Sequence, residues 1–353
     1  MSARVYLDWN ATAPLRAEAR AAMLAAMDVV GNPSSVHAEG RAARAVVERA
    51  REQLAEALGA AAADIVFTSG ATEAAALALA GRDLQCAMIE HECVTAWCEA
   101  ELPADADGKV ALEDPANTAL QLANGETGII QDLPEGLAVS DLVQGFGKLP
   151  FGFDWSGVSI GILSAHKFGG PKGVGALVMK QGIDLLPRMR GGGQEMGRRS
   201  GTENVIGIAG LGAAAEAARR DLDNGRWDEV AALRDRLESR LLDAVPDLLI
   251  VGRGQKRLPN VTCFAVPGWK GETQVMQMDL AGFAVSAGSA CSSGKVRPSK
   301  VLRAMGLDEG TASSALRVSI GPETEESDLM RFADAWIKAH HRRAATTGAA
   351  AAG

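Results

Sequence analysis

The run VSIGILSAHKFGGPKG, residues 158–173, guides the interpretation of the whole chain. Its first part, residues 158–164, is short and apolar, which predicts a buried strand. A glycine-rich turn with a proline follows at once, and Lys167 lies at the junction. A strongly hydrated lysine is seldom placed at the rim of a core without a reason. Either its stem carries the amine out to water, or the amine is held beside a cofactor where desolvation makes it nucleophilic.

Short apolar runs of the same kind recur along the first 180 residues, with helical or polar segments between several of them. They are IVFTSG (65–70), CAMIE (86–90), TALQLA (118–123), LAVSDL (137–142) and VGALVMK (174–180). Apolar periodicity predicts helices over residues 40–58 and 71–81. This alternation predicts an α/β fold with a mostly parallel sheet, whose ligands bind at the carboxyl ends of the strands.

Polar residues lie at or just past the ends of five predicted strands. They are Thr72, Glu90–His91, Asn124, Asp141 and His166–Lys167. Because the carboxyl ends of parallel strands meet at one edge, we expect these side chains to converge on one crevice.

A lysine amine that forms a Schiff base usually does so with the aldehyde of pyridoxal phosphate (PLP), which needs further groups around it. Asp141 would suit the pyridine nitrogen, although it could equally be a turn aspartate. Residues 69–72 offer hydroxyls and a helix N-terminus for the phosphate, and they also suit a simple N-cap. His91 could stack on the ring or be structural.

The second half of the chain predicts a different region. A long helix is expected over residues 211–242, strands over 258–266 and 283–291, and helices over 300–307 and after Glu323. We expect a large PLP-binding domain over residues 11–221. Residues 1–10 and 222–345 would form a small domain, and residues 346–353 a disordered tail.

Composition excludes several function classes. The net charge is −8 and the pI about 5.3, so no basic surplus favours nucleic acid. No apolar run is long enough to span a membrane, and the first residues lack the pattern of a signal peptide, which predicts a cytoplasmic protein. An odd number of cysteines without a CxxC pair argues against structural zinc and a disulfide framework. They are Cys86, Cys93, Cys98, Cys263 and Cys291.

Taken in order, the motifs resemble those of the cysteine desulfurases, in the class V aminotransferase branch of fold-type I PLP enzymes. The motifs are YLDWNATAP (6–14), GNPSSVH (31–37), IVFTSGATE (65–73), IEHECV (89–94), ANGETGIIQDLP (123–134), SDLVQGFGKLP (140–150), SAHKFGGPKG (164–173), GGGQEMGRRSGTEN (191–204), SAGSACSSG (286–294) and ALRVSIG (315–321). The resemblance implies a large domain with a mostly parallel seven-stranded sheet flanked by helices, plus a smaller α+β domain.

The resemblance also implies a role for each matching residue. Lys167 would bond to the cofactor and later move protons at the substrate Cα. The other cofactor contacts would come from Asp141, Gln144, His91, Asn124, Ala71, Thr72, Ser164 and His166. His91 would also act in acid–base steps. Thr202 would reach the phosphate of the neighbouring subunit, which implies a homodimer with shared active sites.

The implied activity is L-cysteine desulfuration. Arg317, Asn124 and Asn32 would bind the substrate, and Cys291 would take its sulfur as a persulfide, leaving L-alanine. An acceptor protein in iron–sulfur cluster, thiolated tRNA or sulfur-cofactor assembly would then receive the sulfur. Glycine and serine around Cys291 predict a mobile loop, although cysteine is also a common small core residue.

The chain departs from the family pattern in places. Gly125 stands where the family has a second asparagine, and the aspartate strand has Leu142 and Val143 after Asp141. The connection before Asp141 is short, which predicts that one covering helix is missing. Two further functions therefore stay open: a selenocysteine lyase or related β-eliminating PLP enzyme, and a trimmed, non-catalytic sulfur-transfer subunit.

Overall fold

The structure, a computed structural model, describes residues 4–288 and 298–351. Its strands are β1 (Val5–Tyr6), β2 (Ala63–Thr68), β3 (Gln85–Ala87), β4 (Glu99–Leu102), β5 (Thr118–Ala119), β6 (Val139–Asp141), β7 (Ile160–Ser164), β8 (Gly175–Lys180), β9 (Leu249–Ile250), β10 (Val261–Ala265), β11 (Phe283–Ala284) and β12 (Ala315–Ser319). Its helices are α1 (Ala17–Met27), α2 (Ala38–Leu58), α3 (Ala71–Leu79), α4 (Glu92–Thr95), α5 (Val205–Asp223), α6 (Arg226–Ala244), α7 (Gly271–Leu280), α8 (Lys300–Ala304), α9 (Glu309–Ala312) and α10 (Glu326–Ala351).

The predicted central sheet is confirmed. It has seven strands in the order β2-β8-β7-β6-β5-β3-β4, and β8 runs antiparallel to both its neighbours while the other pairs are parallel. Strands β7 and β8 are buried along almost their whole length, as expected for a sheet covered on both faces.

Helices cover the two faces of this sheet. Because side chains alternate along a strand, Ala176 and Val178 of β8 pack into one core with α2 and α5, and Leu177 and Met179 into another with α3. Helix α2 begins at His37, whose Nδ1 accepts from the amide of Gly40, and it ends where Gly59 turns left-handed. These layers leave the strand ends at one edge open for a site.

The connection from β5 to β6 carries no helix over residues 120–138, as the short spacing predicted. Hydrogen bonds from Leu120 N to Val139 O and from Leu122 N to Asp141 O extend the pairing of the two strands past β5. The chain then turns at residues 124–128 and packs Ile129 into the core. Strand β6, which ends at Asp141, therefore keeps its pairing with the preceding segment although the connection carries no helix.

Two sequence-based predictions need correction. The single helix predicted over residues 211–242 is two helices, α5 and α6, because the chain breaks at Asn224 and at Gly225, which has φ +71°. The strand predicted over residues 283–291 is described only as the two residues of β11, and residues 289–297 lie outside the described part. Helix α10 also continues to Ala351, into the predicted tail.

A second core lies around two smaller sheets. β9, β10 and β12 form an antiparallel three-stranded sheet, and β1 pairs in parallel with β11. Val5 and Leu7 share this core with residues from Trp227 to Ala339. The proposed domain boundaries stay a prediction that this distribution supports. No helix in the described part of the chain is both long and apolar enough to cross a membrane.

Candidate active site

Lys167 lies where the sheet meets the N-terminal segment. It ends a single 3-10 turn, Ala165–Lys167, directly after β7. Its Nζ donates to the carbonyl oxygen of Asn10 at 2.7 Å and to that of Ala11 at 2.9 Å. The amine is therefore held by two backbone acceptors that lie 157 and 156 residues away in sequence. This favours the interpretation of a positioned amine over that of a lysine whose amine only reaches water.

Asp141, the last residue of β6, faces the same site as Lys167. Burial raises the pKa of its carboxyl, whereas the amide of Val143, His91 and Lys167 all act to lower this pKa. The Val143 N–H donates to Oδ1 at 2.8 Å. His91 and Lys167 thus both lie within electrostatic reach of the Asp141 carboxylate.

His91 caps the short helix α4. Its Nδ1 accepts from the Cys93 amide at 3.1 Å and lies 3.0 Å from the Cys93 sulfur. An imidazole nitrogen that accepts from a backbone N–H is unprotonated, so the neutral ring carries its proton on Nε2. Burial raises the pKa of the Cys93 thiol, which makes this cysteine a poor source of thiolate.

The phosphate side of the predicted site is the turn between β2 and α3. No side chain caps α3, so the amides of its first turn have no side-chain acceptor at the N-cap position. Ser164 is buried, and its Oγ would lie 3.9 Å from a Cβ placed on Gly70. Thr72 is exposed in the first turn of α3. These groups form a small anion-binding surface next to β7.

His166 lies beside Lys167 and faces the N-terminal segment. Its Nδ1 is 3.2 Å from the Thr12 hydroxyl. Burial, and then the positive charges of Lys167 and Lys172, lower the pKa of His166 to about 4. The ring is therefore neutral near pH 7 and can act at this site as a hydrogen-bond partner without adding charge.

Gln144 is held from two sides beneath the site. Its Nε2 donates to Asn10 O at 3.0 Å, and its Oε1 accepts from Lys148 Nζ at 2.9 Å. Asn10 also donates from Nδ2 to Gly125 O at 3.0 Å. Asn10 is therefore the common partner of Lys167, Gln144 and the turn that contains Gly125.

The predicted substrate residues lie at this turn. Arg317 of β12 donates to Asp8 Oδ1 at 2.7 Å and to Gly125 O at 3.2 Å, and its buried Nε has no partner among the described residues. The Asn124 amide donates to Ile89 O, and its oxygen accepts from Glu126 N, Thr127 N and the Thr127 hydroxyl. Asn124 thus has a structural role, and direct contact with ligands stays a prediction for it.

The structure does not join every predicted residue to this pocket. Thr202 and Asn32 are exposed, and Asn32 caps its own loop by accepting from Ser34 N at 2.9 Å. None of the contacts described for either residue reaches Lys167. Cys291 lies outside the described residues.

Comparison with known proteins identifies the family. The model for aminotransferase class V matches residues 5–332. A cysteine desulfurase from Cereibacter sphaeroides is 40% identical, over 93% of this chain and 94% of the relative. An IscS-like cysteine desulfurase from Mycobacterium tuberculosis is 36% identical, over 92% and 93%.

The chain belongs to the class V aminotransferase family. Its relatives at 36–40% identity are cysteine desulfurases. The structure of a NifS-like protein from Rickettsia africae matches with a TM-score of 0.87 and 30% identity, over 96% of this chain and 99% of that one. A structure of SspA in complex with cysteine matches with a TM-score of 0.72 and 27% identity, over 91% and 100%. The class V fold thus accounts for nearly the whole chain.

Class V aminotransferases that are cysteine desulfurases depend on PLP, and the residues present fit that group. Asp141 is a half-buried carboxylate that forms no ion pair with the described residues, so a protonated ring nitrogen would give it a cationic partner. The hydroxyl of Ser164 and the uncapped start of α3 offer donors for a phosphate. Lys167 follows Ser164 by three residues, in the 3-10 turn directly after β7.

Sequence reasoning missed two residues of this candidate site and gave a third no role. Asn10 and Lys148 are polar, fully enclosed and bonded to predicted site residues. Glu90 was noted only as a neighbour of His91, yet its Oε2 is buried without a partner among the described residues. Burial, and also the charge of Asp141, raise the pKa of Glu90 well above its ordinary value. Only the position of Lys148 four residues after Gln144 gave a signal in the sequence.

Proposed function

We propose that the protein removes the sulfur of L-cysteine, releases L-alanine and holds the sulfur as a persulfide on Cys291 before an acceptor protein takes it. The observation that carries the proposal is the convergence of Lys167, Asp141 and His91 on one site, in a chain whose relatives are cysteine desulfurases. A non-catalytic subunit would need none of these three groups together. The similarity to SspA, whose structure is in complex with cysteine, supports the substrate.

PLP, when bound, supplies an aldehyde for an amine and a ring that makes the α-proton of an amino acid acidic. Lys167 would hold its aldehyde carbon, Asp141 its pyridine nitrogen and Gln144 its phenolic oxygen. His91 would lie against the ring. The phosphate would be held by Thr72, Ser164, His166 and the first amides of α3, which begins at Ala71.

Lys167 would move the proton at the substrate Cα. Its Nζ has the carbonyl oxygens of Asn10 and Ala11 as acceptors, so the amine stays in place when it is not bonded to a ligand. A positioned amine of this kind transfers protons faster than solvent does. His91, with its proton on Nε2, would supply a second proton donor near Asp141.

Arg317 would bind the substrate carboxylate. Asp8 and the Gly125 carbonyl already fix the guanidinium, and the buried Nε–H remains as a donor for a ligand. The planar fork favours a carboxylate over other anions. Since Asn124 lies next to Gly125, the turn at 124–128 would set the distance between this carboxylate and the cofactor.

Cys291 would attack the substrate sulfur as a thiolate, forming a sulfur–sulfur bond while the bond from sulfur to Cβ breaks. The described residues on both sides of it lie at the site. Ser286 exchanges two backbone hydrogen bonds with Arg317, and the side chain of Ser299 bonds to that of Glu126. Ser286 and Ser299, which precede and follow Cys291 in the sequence, are thus each bonded to a residue near Gly125 or at Arg317.

A homodimer would complete the site. Thr202 and Asn32 are exposed in this subunit, which suits contact with the neighbouring one. Four large apolar side chains within eight residues of Asn32 in the sequence are also exposed, and exposed apolar patches mark interfaces. They are Leu24, Met27, Val30 and Val36. A cytoplasmic location, and an acceptor in iron–sulfur cluster, thiolated tRNA or sulfur-cofactor assembly, belong to the same proposal.

The test is to incubate the purified protein with PLP, cysteine and a reductant. Equal amounts of alanine and sulfide are expected, and mass spectrometry without reductant should find one added sulfur atom on the peptide that contains Cys291. Cys291→Ala should lose both products while its visible cofactor band remains. Cys98→Ala, a partly exposed cysteine outside the site, is the matched control and should keep activity.

Three outcomes would contradict the proposal. Alanine from selenocysteine but not from cysteine would indicate a selenocysteine lyase. Full activity of Cys291→Ala on cysteine would show that another group takes the sulfur. Absence of any visible band after PLP addition would favour a non-catalytic subunit.

A further inference from the structure

Lys148 is a buried lysine without a carboxylate partner. Lys148 is 4% exposed, and no ion pair joins it to any described residue. Its Nζ donates to Gln144 Oε1 at 2.9 Å and to Asn10 Oδ1 at 3.3 Å. An ammonium group in such a place loses its hydration, so a compensating role is expected.

The charged groups that face Lys148 make its position more costly. They are Lys167 and Arg317, and both are cations. Burial, and then these two positive charges, lower the pKa of Lys148 to about 7. Neutral amides are its only hydrogen-bond acceptors among the described residues. We therefore expect Lys148 to act through those two amides.

Lys148 decides which way round the Gln144 amide lies. Gln144 Oε1 accepts from Lys148, and Gln144 Nε2 donates to the carbonyl of Asn10 at 3.0 Å. A flipped amide would bring its NH2 group against the Lys148 amine and its oxygen against the Asn10 carbonyl. The oxygen would meet a second acceptor, and the NH2 group would meet an ammonium that cannot accept while Lys148 is protonated, so the two neighbours together fix one orientation.

This orientation leaves one donor of Gln144 for a ligand. An amide NH2 group has two hydrogens, and the described residues offer it one acceptor, Asn10 O. Asn10 is fixed in turn, since its Oδ1 also accepts from Asn260 Nδ2 at 2.9 Å and its backbone oxygen accepts from Lys167. The remaining N–H of Gln144 therefore belongs to an amide whose hydrogen-bond partners are themselves held in place.

We propose that Lys148 is a positioning residue that orients Gln144, so that the second N–H of Gln144 donates to the phenolic oxygen of the bound cofactor. The proposal rests on PLP as the cofactor of the proposed function. Lys148 itself touches neither cofactor nor substrate. Its effect on the phenolic oxygen passes through the Gln144 amide, and its charge also acts on Lys167.

The experiment is a pH titration of the visible absorption band of the PLP-loaded protein, without substrate. A hydrogen bond to the phenolic oxygen favours its deprotonated form. Lys148→Met should therefore raise the midpoint of this titration by about 0.5 to 1 pH unit, the size of one ordinary hydrogen bond. The affinity for PLP should fall by about three- to tenfold, measured by equilibrium dialysis.

A double-mutant cycle tests the route of the effect. Gln144→Met alone should give the same upward shift, and Lys148→Met added to Gln144→Met should add nothing. Lys180→Met, a lysine that bonds to Gly157 O away from the site, is the matched control and should leave the midpoint unchanged. An unchanged midpoint in Lys148→Met, or a full further shift in the Gln144→Met background, would overturn the proposal.

A second variant covers loss of folding. Lys148→Gln keeps an N–H donor near Gln144 Oε1, and its midpoint should stay close to that of the unchanged protein. A shift as large as that of Gln144→Met would contradict the proposal, even if Lys148→Met does not fold. These readouts need no turnover. Failure of desulfuration with a normal titration would therefore count against the proposed function alone.

Discussion

At the scale of single residues, the proposed phosphate side of the site has neutral donors, whereas the proposed ring-nitrogen side has a carboxyl group. His166 is neutral near pH 7, because burial and the charges of Lys167 and Lys172 lower its pKa to about 4. Asp141 is the acidic group that faces Lys167 and His91. A dianionic phosphate would thus meet neutral donors at His166 and Ser164, and the ring nitrogen would meet a carboxylate.

His166 gives a prediction for the pH dependence of stability. Its pKa is about 4 in the folded chain against an ordinary 6.5, so the unfolded chain binds more protons at this residue between these two values. The free energy of unfolding should therefore rise with pH through this window. Urea denaturation of the apoprotein at pH 4.5 and pH 7 should show a smaller rise for His166→Asn than for the unchanged chain. Equal rises would contradict the assignment.

Arg317 gives a second prediction at this scale. In Arg317→Lys the single ammonium cannot bond to Asp8, Gly125 and a carboxylate in the fork geometry that the guanidinium allows. The KM for cysteine should rise by about ten- to a hundredfold, which corresponds to one or two lost charge-assisted hydrogen bonds. The absorption band of the bound cofactor should not change. An unchanged KM would show that the substrate carboxylate binds elsewhere.

The sequence allowed prediction of those site residues that follow strands. Lys167, Asp141, His91 and Asn124 each come after an apolar run, so the rule for parallel strands places them at one edge. Asn10 and Lys148 could not be found in this way. Their function depends on contacts such as the bond from Gln144 to Asn10, which are 134 residues apart, and no local pattern encodes such a contact.

At the scale of elements, the turn at residues 124–128 lies in the connection from β5 to β6, which carries no helix. The Asn124 side chain accepts from Glu126 N and Thr127 N at 2.9 Å each, and it donates to Ile89 O at 3.1 Å. It therefore ties the end of β5 to the segment that leads into His91. This turn explains how a crossover without a helix can still hold the site.

The turn predicts a large loss of stability in Asn124→Ala. The change leaves several buried backbone groups without partners and should lower the free energy of unfolding by about 2–4 kcal/mol. Asn117→Ala is the control, because Asn117 is exposed and its side chain donates to Asp114, itself exposed. It should cost less than about 0.5 kcal/mol. Similar losses in the two variants, measured by urea denaturation, would contradict this role.

Helix boundaries were harder to predict than helices. Residues 205–244 are helical apart from two residues, and the apolar spacing of α5 passes into that of α6 without an obvious change. The only local signal for the break is the pair Asn224–Gly225. An isolated glycine is also tolerated within helices, and the structure adds that α5 packs into the larger core and α6 into the smaller one.

At the scale of the whole molecule, the N-terminal segment joins the two cores at the site. Val5 and Leu7 pack into the smaller core. Asp8 pairs with Arg317, and three residues later Ala11 accepts from Lys167. The site therefore depends on both cores. The alternation of strands and helices in the sequence could predict the fold class, but it could not predict how the two cores meet at the site.

The central claim is that Lys167 carries the cofactor aldehyde opposite Asp141. The most direct test is to load the protein with PLP, reduce it with borohydride, and map the modified peptide by mass spectrometry. Lys148 is the internal control, because it is a second lysine in the same polar network. The account predicts one reduced PLP group, on Lys167. Its attachment to Lys148, or the absence of any modified lysine in a protein that shows a bound-cofactor band, would contradict the account.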